Sequence, residues 1–120
     1  MKKAIVLKDE QVIISDAKVA DTFFSRLFGL MPTKSLDQNS GLILEKCKQI
    51  HTFNMKYVID AIFLSVDNTI IHIEHELSPN KMTKYFIKSS SVLEVAGGVA
   101  LNHDLRLGDK LTFIETDNVK

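Results

Sequence analysis

The sequence predicts a mainly β domain with one short α-helix, built as a compact antiparallel β-sandwich or partly open barrel. Three observations predict this. Short β-branched runs separated by Asp, Asn and Gly turn signals recur along almost the whole chain. Only one stretch, from Ala20 to Met31, changes to helical spacing. The chain has 120 residues, 45% hydrophobic, with no repeat or Pro/Gly/Ser-rich linker, so residues 1–120 read as a single domain with one core.

The elements follow in order. Ile5 to Leu7 and Val12 to Ile14 flank the polar Lys8-Asp9-Glu10-Gln11, a hairpin-like pattern. Ala20, Phe23, Phe24, Leu27 and Met31 recur at helical spacing, Asp21 can cap the start, and Gly29 stands near the end, before Pro32. Pro32 to Gly41 is polar and turn-rich and reads as a surface loop. Strands are then predicted over Leu42–Leu44, Gln49–Phe53 and Val58–Val66, with Asp67-Asn68 turning the last of these into a return strand over Thr69–Glu76. Alternation places Ile71, Ile73, His75 and Leu77 on one face of that strand and Ile70, His72, Glu74 and Glu76 on the other, one face core and the other wet. Pro79–Ser91 reads as a long loop or lid that Tyr85-Phe86-Ile87 could dock. Val92–Val95 and Lys110–Glu115 complete the strands, with turns at Gly97-Gly98 and Gly108-Asp109. Phe23, Phe24, Leu27, Ile62, Leu64, Ile71 and Ile73 are expected to share one core.

Composition excludes several function classes. Fifteen Lys plus Arg balance fifteen Asp plus Glu, which argues against a nucleic-acid partner or a charge-coated membrane surface. Cys47 is the single cysteine, so there is no intramolecular disulfide and no Cys-x-x-Cys motif. The apolar run after Met1-Lys2-Lys3 ends at Lys8, too short for a secretory leader, and no run approaches a spanning helix. The expectation is a cytoplasmic monomer without membrane insertion and without a cofactor. His72, Glu74, His75 and His103 do not make a zinc set, because alternation turns His75 away from His72 and Glu74. Ser89-Ser90-Ser91 lacks a nucleophile-elbow context. Gly97-Gly98, with neither a Lys-Ser/Thr pair nor a helical pattern after it, is no phosphate loop.

The candidate site residues are polar groups set among apolar strand residues. Asp60 shares a strand face with Ile62, Leu64 and Val66, and Glu94 interrupts Val92–Ala96. A carboxylate against apolar neighbours must find hydrogen bonds or shift its pKa, so each either braces turn backbone N–H groups or serves a ligand. His51 is a strand-end imidazole or a proton-transfer group at a pocket mouth. Met55 is core filler or the wall of an apolar site. Arg26 is a structural ion pair or a clamp for an anion or for Glu94.

Arg26-Leu27-Phe28-Gly29-Leu30-Met31, Ile50-His51-Thr52-Phe53-Asn54-Met55, Ile59-Asp60-Ala61-Ile62-Phe63-Leu64, Val92-Leu93-Glu94 and Gly108-Asp109 together resemble, in order, the uncharacterised prokaryotic family called domain of unknown function 192. The resemblance covers about residues 18 to 114. It implies a compact, mainly β fold with a short helix and directs attention to Arg26, Gly29, Met31, His51, Met55, Asp60, Glu94 and Gly108-Asp109. It implies no established activity. The chain departs from the family pattern at Ala96-Gly97-Gly98, where relatives carry Pro-Ala-Gly, and at Pro79-Asn80-Lys81, where they carry a Pro-Trp-Arg-like element. Some relatives resemble exported or lipid-anchored proteins, and no such leader is expected here.

The function expected from these residues is a small non-enzymatic binding module. A small molecule or a partner's peptide segment would dock beside Met55, with His51, Asp60 and Glu94, and Arg26 behind them, fixing its orientation. The alternative is a small hydrolase or lyase in which Asp60 and Glu94 act as acid and base with help from His51.

Overall fold

In the computed structural model, which describes residues 2–20 and 35–116, the first two β-branched runs form a hairpin of β1 (Lys2–Lys8) and β2 (Gln11–Ala20). Its loop is Asp9-Glu10, both at positive φ (50° and 68°), closed by a Lys8–Gln11 pair. Two central residues at positive φ are the mark of a type I′ turn, whose twist matches that of the strands it joins. β2 is longer than its β-branched run because Ala17, Val19 and Ala20 are also buried. Ala20, expected to open the helix, therefore ends a strand. The rest of that expected helix, with Phe23, Phe24, Leu27, Met31 and Arg26, lies outside the described residues.

The remaining elements are β3 (Ser40–Glu45), β4 (Ile59–Leu64), β5 (Ile70–Leu77), β6 (Ser91–Ala96), a one-turn helix α1 (Val99–Asn102) and β7 (Thr112–Thr116). The protein is mainly β with a short helix. Its seven strands form one mixed sheet in the order β5-β4-β6-β3-β2-β1-β7, parallel only between β2 and β3. The sheet is not closed into a barrel. Its two edges nevertheless meet at one point: Ile70 N–H donates to Asp109 O (2.8 Å), Gly108 N–H to Ile70 O (2.9 Å) and Leu111 N–H to Asn68 O (2.9 Å).

This curvature gives the sheet a concave and a convex face, each with its own core. On the concave face Ala4 and Val6 of β1 share a cluster with Ile62 and Leu64 of β4, strands far apart in the sheet, and Val99, Ala100, Leu105 and Leu111 plug it. On the convex face Leu42, Leu44, Ala61, Phe63 and Val92 pack beneath Ile50, Met55 and Phe86. β4 and β6 are buried on both faces along their whole length.

Strict alternation fails in β5. Ala61 pairs with Glu74 while Ile59 pairs with Leu77, and Leu64 pairs with Ile70 while Phe63 pairs with His72, so β5 carries an extra residue at each shift. Such bulges turn side chains to the other face. Ile70 and Ile73 consequently pack on the concave core, whereas Ile71 and Leu77 pack on the convex one, which corrects the expected grouping of Ile71 with Ile73, Ile62 and Leu64.

Residues 49–53 are not a sheet strand. His51 forms an isolated bridge with Met82, and the neighbouring chain runs beside residues 78–90. Thr52 N–H donates to Lys81 O, Thr83 N–H to Ile50 O and Phe86 N–H to Lys48 O, each within 3.0 Å. The expected loop is thereby fastened down. Phe86 packs at a tilt against Phe63 (4.7 Å) and stacks on His72 (4.4 Å), while Tyr85 and Ile87 stay exposed.

Candidate functional site

Asp60 and Glu94 stand on opposite faces of the sheet. In the β4–β6 ladder Asp60 pairs with Val95, a concave-core residue, whereas Glu94 pairs with Ala61 and Leu42, both convex-core residues. Residues directly opposite in a ladder project to the same side, so the two carboxyl groups do not share a cavity. The expected convergence of Asp60, Glu94 and His51 is corrected by this one-residue difference in parity.

Asp60 is fully buried, and its oxygens accept three backbone N–H groups. Oδ1 takes Glu76 N–H (2.8 Å), and Oδ2 takes Gly98 N–H (3.1 Å) and Ala100 N–H (2.9 Å). Glu76 lies at positive φ (49°) and Gly98 at φ 94°, immediately before α1. Both backbones bend toward the same carboxylate, which supplies the acceptor that the start of α1 otherwise lacks. Gly97-Gly98 is thus followed by a helical turn after all, too short to leave a periodic pattern in the sequence.

Glu94 has a different environment. It is 5% exposed between apolar rungs, and no group among the described residues hydrogen-bonds or pairs with its carboxyl. Burial pushes its pKa up to about 8, so the neutral acid predominates at pH 7. Met55 is buried in the same convex cluster. A protonated carboxyl there offers one donor and one acceptor within apolar walls.

His51 is exposed, its ring stacked on Phe53 (4.7 Å) and its Nδ1 accepting the Phe53 N–H (3.2 Å). Arg26 lies outside the described residues. His72 Nε2 is 2.5 Å from Glu74 Oε2, and no group of three or more metal-ligating side chains occurs among the described residues. Asp109 of Gly108-Asp109 accepts Arg106 N–H (2.8 Å) and pairs with Lys8 (2.9 Å), an ion pair that holds its pKa below the usual carboxylate value.

Two features escaped the sequence reading. The buried hydroxyls of Thr52, Thr83 and Ser89 bond the backbone of two adjoining straps, residues 47–53 and 78–90; Thr52 Oγ1, for example, donates to Ser78 O (2.6 Å) and accepts Lys81 N–H (2.9 Å). A cavity of about 350 Å3 also opens at the end of the concave face, with Glu45, Lys46, Ser91 and Glu115 among the residues on its border. Strand parity carried to the strand ends would have found it, since Glu45 follows Ile43 and Glu115 follows Phe113 at the inward spacing.

Two solved structures share the fold. A protein of unknown function from Novosphingobium aromaticivorans DSM 12444 is 22% identical, with a TM-score of 0.79 over 92% of this chain and 83% of its own. A Sinorhizobium meliloti 1021 protein provisionally described as a transcription regulator is 17% identical, with a TM-score of 0.77 over 93% of this chain and 92% of its own. At such identities the likeness is one of fold. No curated protein matches the sequence. The family model DUF192, an uncharacterized ACR, matches residues 4–113, almost the whole described sheet, and the chain belongs to that family.

Proposed function

We propose that this domain is a non-enzymatic binding module that takes a small ligand, or a segment of a partner, against the convex face beside Met55, with Glu94 as the polar contact. The observation that carries this reading is the buried Glu94 carboxyl, which bonds to nothing among the described residues. Desolvating an ionisable group is costly, and the cost is recovered when a bound molecule completes its hydrogen bonds. In its neutral form Glu94 complements a primary carboxamide, which offers one acceptor and one donor in the same plane. Asp60 serves as a brace in this reading. The acid–base alternative needs Asp60 and Glu94 within reach of one substrate, and the sheet stands between them.

The test is a titration with small primary amides, followed through the methyl signals of Leu42, Ala61 and Met55. Saturable shifts at pH 6 that fade above pH 9 and vanish in Glu94→Leu are expected. Shifts that never saturate, or that persist unchanged in Glu94→Leu, overturn the reading.

A further inference from the structure

The strap of residues 78–90 repeats with a period of three. Thr83, Phe86 and Ser89 turn inward: the two hydroxyl residues are buried and bonded, and Phe86 packs on the convex core. Between these anchors the chain turns outward in pairs, Lys81-Met82, Lys84-Tyr85 and Ile87-Lys88. Each pair is one lysine and one large apolar residue. Met82, Tyr85 and Ile87 are 62%, 61% and 74% exposed, so the core makes no use of them. Three such side chains in a row, each beside a cation, form a patch rather than scattered surface residues.

Charge is the second, independent observation. Residues 46–58 and 78–90 contain six lysines and no Asp or Glu, so the zero net charge of the whole chain is unevenly spread. Lys46 is engaged within the protein, and Lys48 Nζ donates to Ile87 O (2.8 Å) and Ser89 O (2.7 Å). Contacts with a partner therefore fall to Lys81, Lys84 and Lys88, whose exposed ammonium groups make no hydrogen bond or ion pair among the described residues. Acids of the neighbouring strands and turns stand outside the row. Glu74 is paired with His72 and Asp67 bonds Ser65, Glu45 leaves β3 on the concave side opposite Ser91, Glu76 lies at the end of β5, and Glu94 is buried in the sheet.

A partner that fits is anionic at its surface and apolar just below. We infer that the outward row of this strap docks on an anionic lipid bilayer, with Lys81, Lys84 and Lys88 among the headgroups and Met82, Tyr85 and Ile87 at the acyl boundary. Lysine suits this position because its methylene stem lies along apolar surface while its ammonium group stays in the polar layer. The domain lies on the membrane and does not cross it. A single-stranded nucleic acid also combines negative charge with apolar faces, but its bases stack on aromatic rings, and only Tyr85 of the three apolar side chains offers one. The docking surface is the outer side of the strap and is independent of the Glu94 carboxyl.

The experiment is cosedimentation of the full chain with vesicles of phosphatidylcholine alone and of phosphatidylcholine with about one-third phosphatidylserine. Binding to the anionic vesicles only, weakened by salt, is expected. Lys81→Gln/Lys84→Gln/Lys88→Gln is expected to lower partitioning about a hundredfold, at roughly fivefold per lysine near an anionic surface. Ile87→Asn is expected to lower it about tenfold with the salt dependence unchanged. The chain has no tryptophan, so the emission of Ile87→Trp reports that one position and is expected to shift to the blue on anionic vesicles. Far-ultraviolet dichroism confirms the sheet in each variant. Absence of binding to the anionic vesicles overturns the inference, as does unchanged binding by the folded triple variant or an Ile87→Trp emission that stays that of exposed indole. An oligothymidylate or a polyglutamate peptide bound more tightly than the vesicles at equal charge overturns it too, and makes the row a site for a nucleic acid or an acidic protein segment instead.

Discussion

Asp60 and Glu94 are both acidic, both buried and on adjacent rungs of the β4–β6 ladder, yet the protein uses them differently. Asp60 is held by three N–H donors, and an amide in its place keeps only one carbonyl oxygen while turning an NH2 group toward a backbone donor. Asp60→Asn is therefore expected to cost about 1–3 kcal/mol, read as a lower urea midpoint, and a wild-type midpoint would contradict the bracing role. Glu94 acts through linkage. Its pKa is raised from 4.5 to about 8 on folding, so between those values the folded protein binds more protons than the unfolded chain. Stability from this group is full below pH 4.5 and falls as pH rises through 8, by at most about 1.4 kcal/mol per pH unit. Melting temperatures are expected to drop across this window in the wild type and to flatten in Glu94→Gln. Parallel pH profiles for the two proteins would sink the assignment. Asp67 and Asp109, whose pKa values are lowered, act in the opposite sense and only in acid, where protonation removes their bonds.

At the scale of elements, the legible parts are those in which local chemistry and tertiary packing agree. The Asp67-Asn68 turn is one: Asn68 sits at φ 63°, and Ser65 Oγ bonds Asp67 while its backbone holds Thr69 and Asn68. The Asp9-Glu10 turn is another, although there the sequence is not optimal, because glutamate at φ 68° bears the left-handed penalty without the short side chain that relieves it. Glu10→Gly is expected to raise stability by about 0.5–1 kcal/mol, seen as a higher melting temperature, and a decrease would mean that this turn is held by something besides its backbone angles. What was not legible depends on distant partners. The β5 bulges come from pairing with β4, and no local residue announces them. Residues 49–53 look like a strand because Ile50, Thr52 and Phe53 favour one, but their backbone partners are 30 residues away in the 78–90 strap, whose own composition looks like a loop. For the site, Asp60, Glu94 and Met55 were each found as buried, yet their grouping failed. Alternation gives relative faces within one strand, whereas the relation between β4 and β6 is set by a register that only the folded sheet fixes.

At the scale of the whole molecule, one curved sheet does the work that a sandwich divides between two. A second sheet is unnecessary because the concave face is filled by its own far strands and by the segment between β6 and β7, where Val99, Ala100, Leu105 and Leu111 are all at most 4% exposed. Of these four only Val99 and Ala100 are helical, and Leu105 and Leu111 lie in irregular chain, so regular structure is a poor guide to which residues hold the fold. Burial is the better one. Leu111 also stands at the seam, its N–H on Asn68 O, so its side chain anchors the segment that joins the two sheet edges. Leu105→Ala and Leu111→Ala are accordingly expected to destabilise as much as Leu64→Ala in the middle of β4, about 2–5 kcal/mol each. Ile87→Ala, at an exposed strap position, is expected to stay within about 0.5 kcal/mol of wild type. Denaturant midpoints for the four variants decide it. If the two plug leucines track Ile87 rather than Leu64, the concave core is held by the strands alone, and the sheet keeps its curvature without the plug.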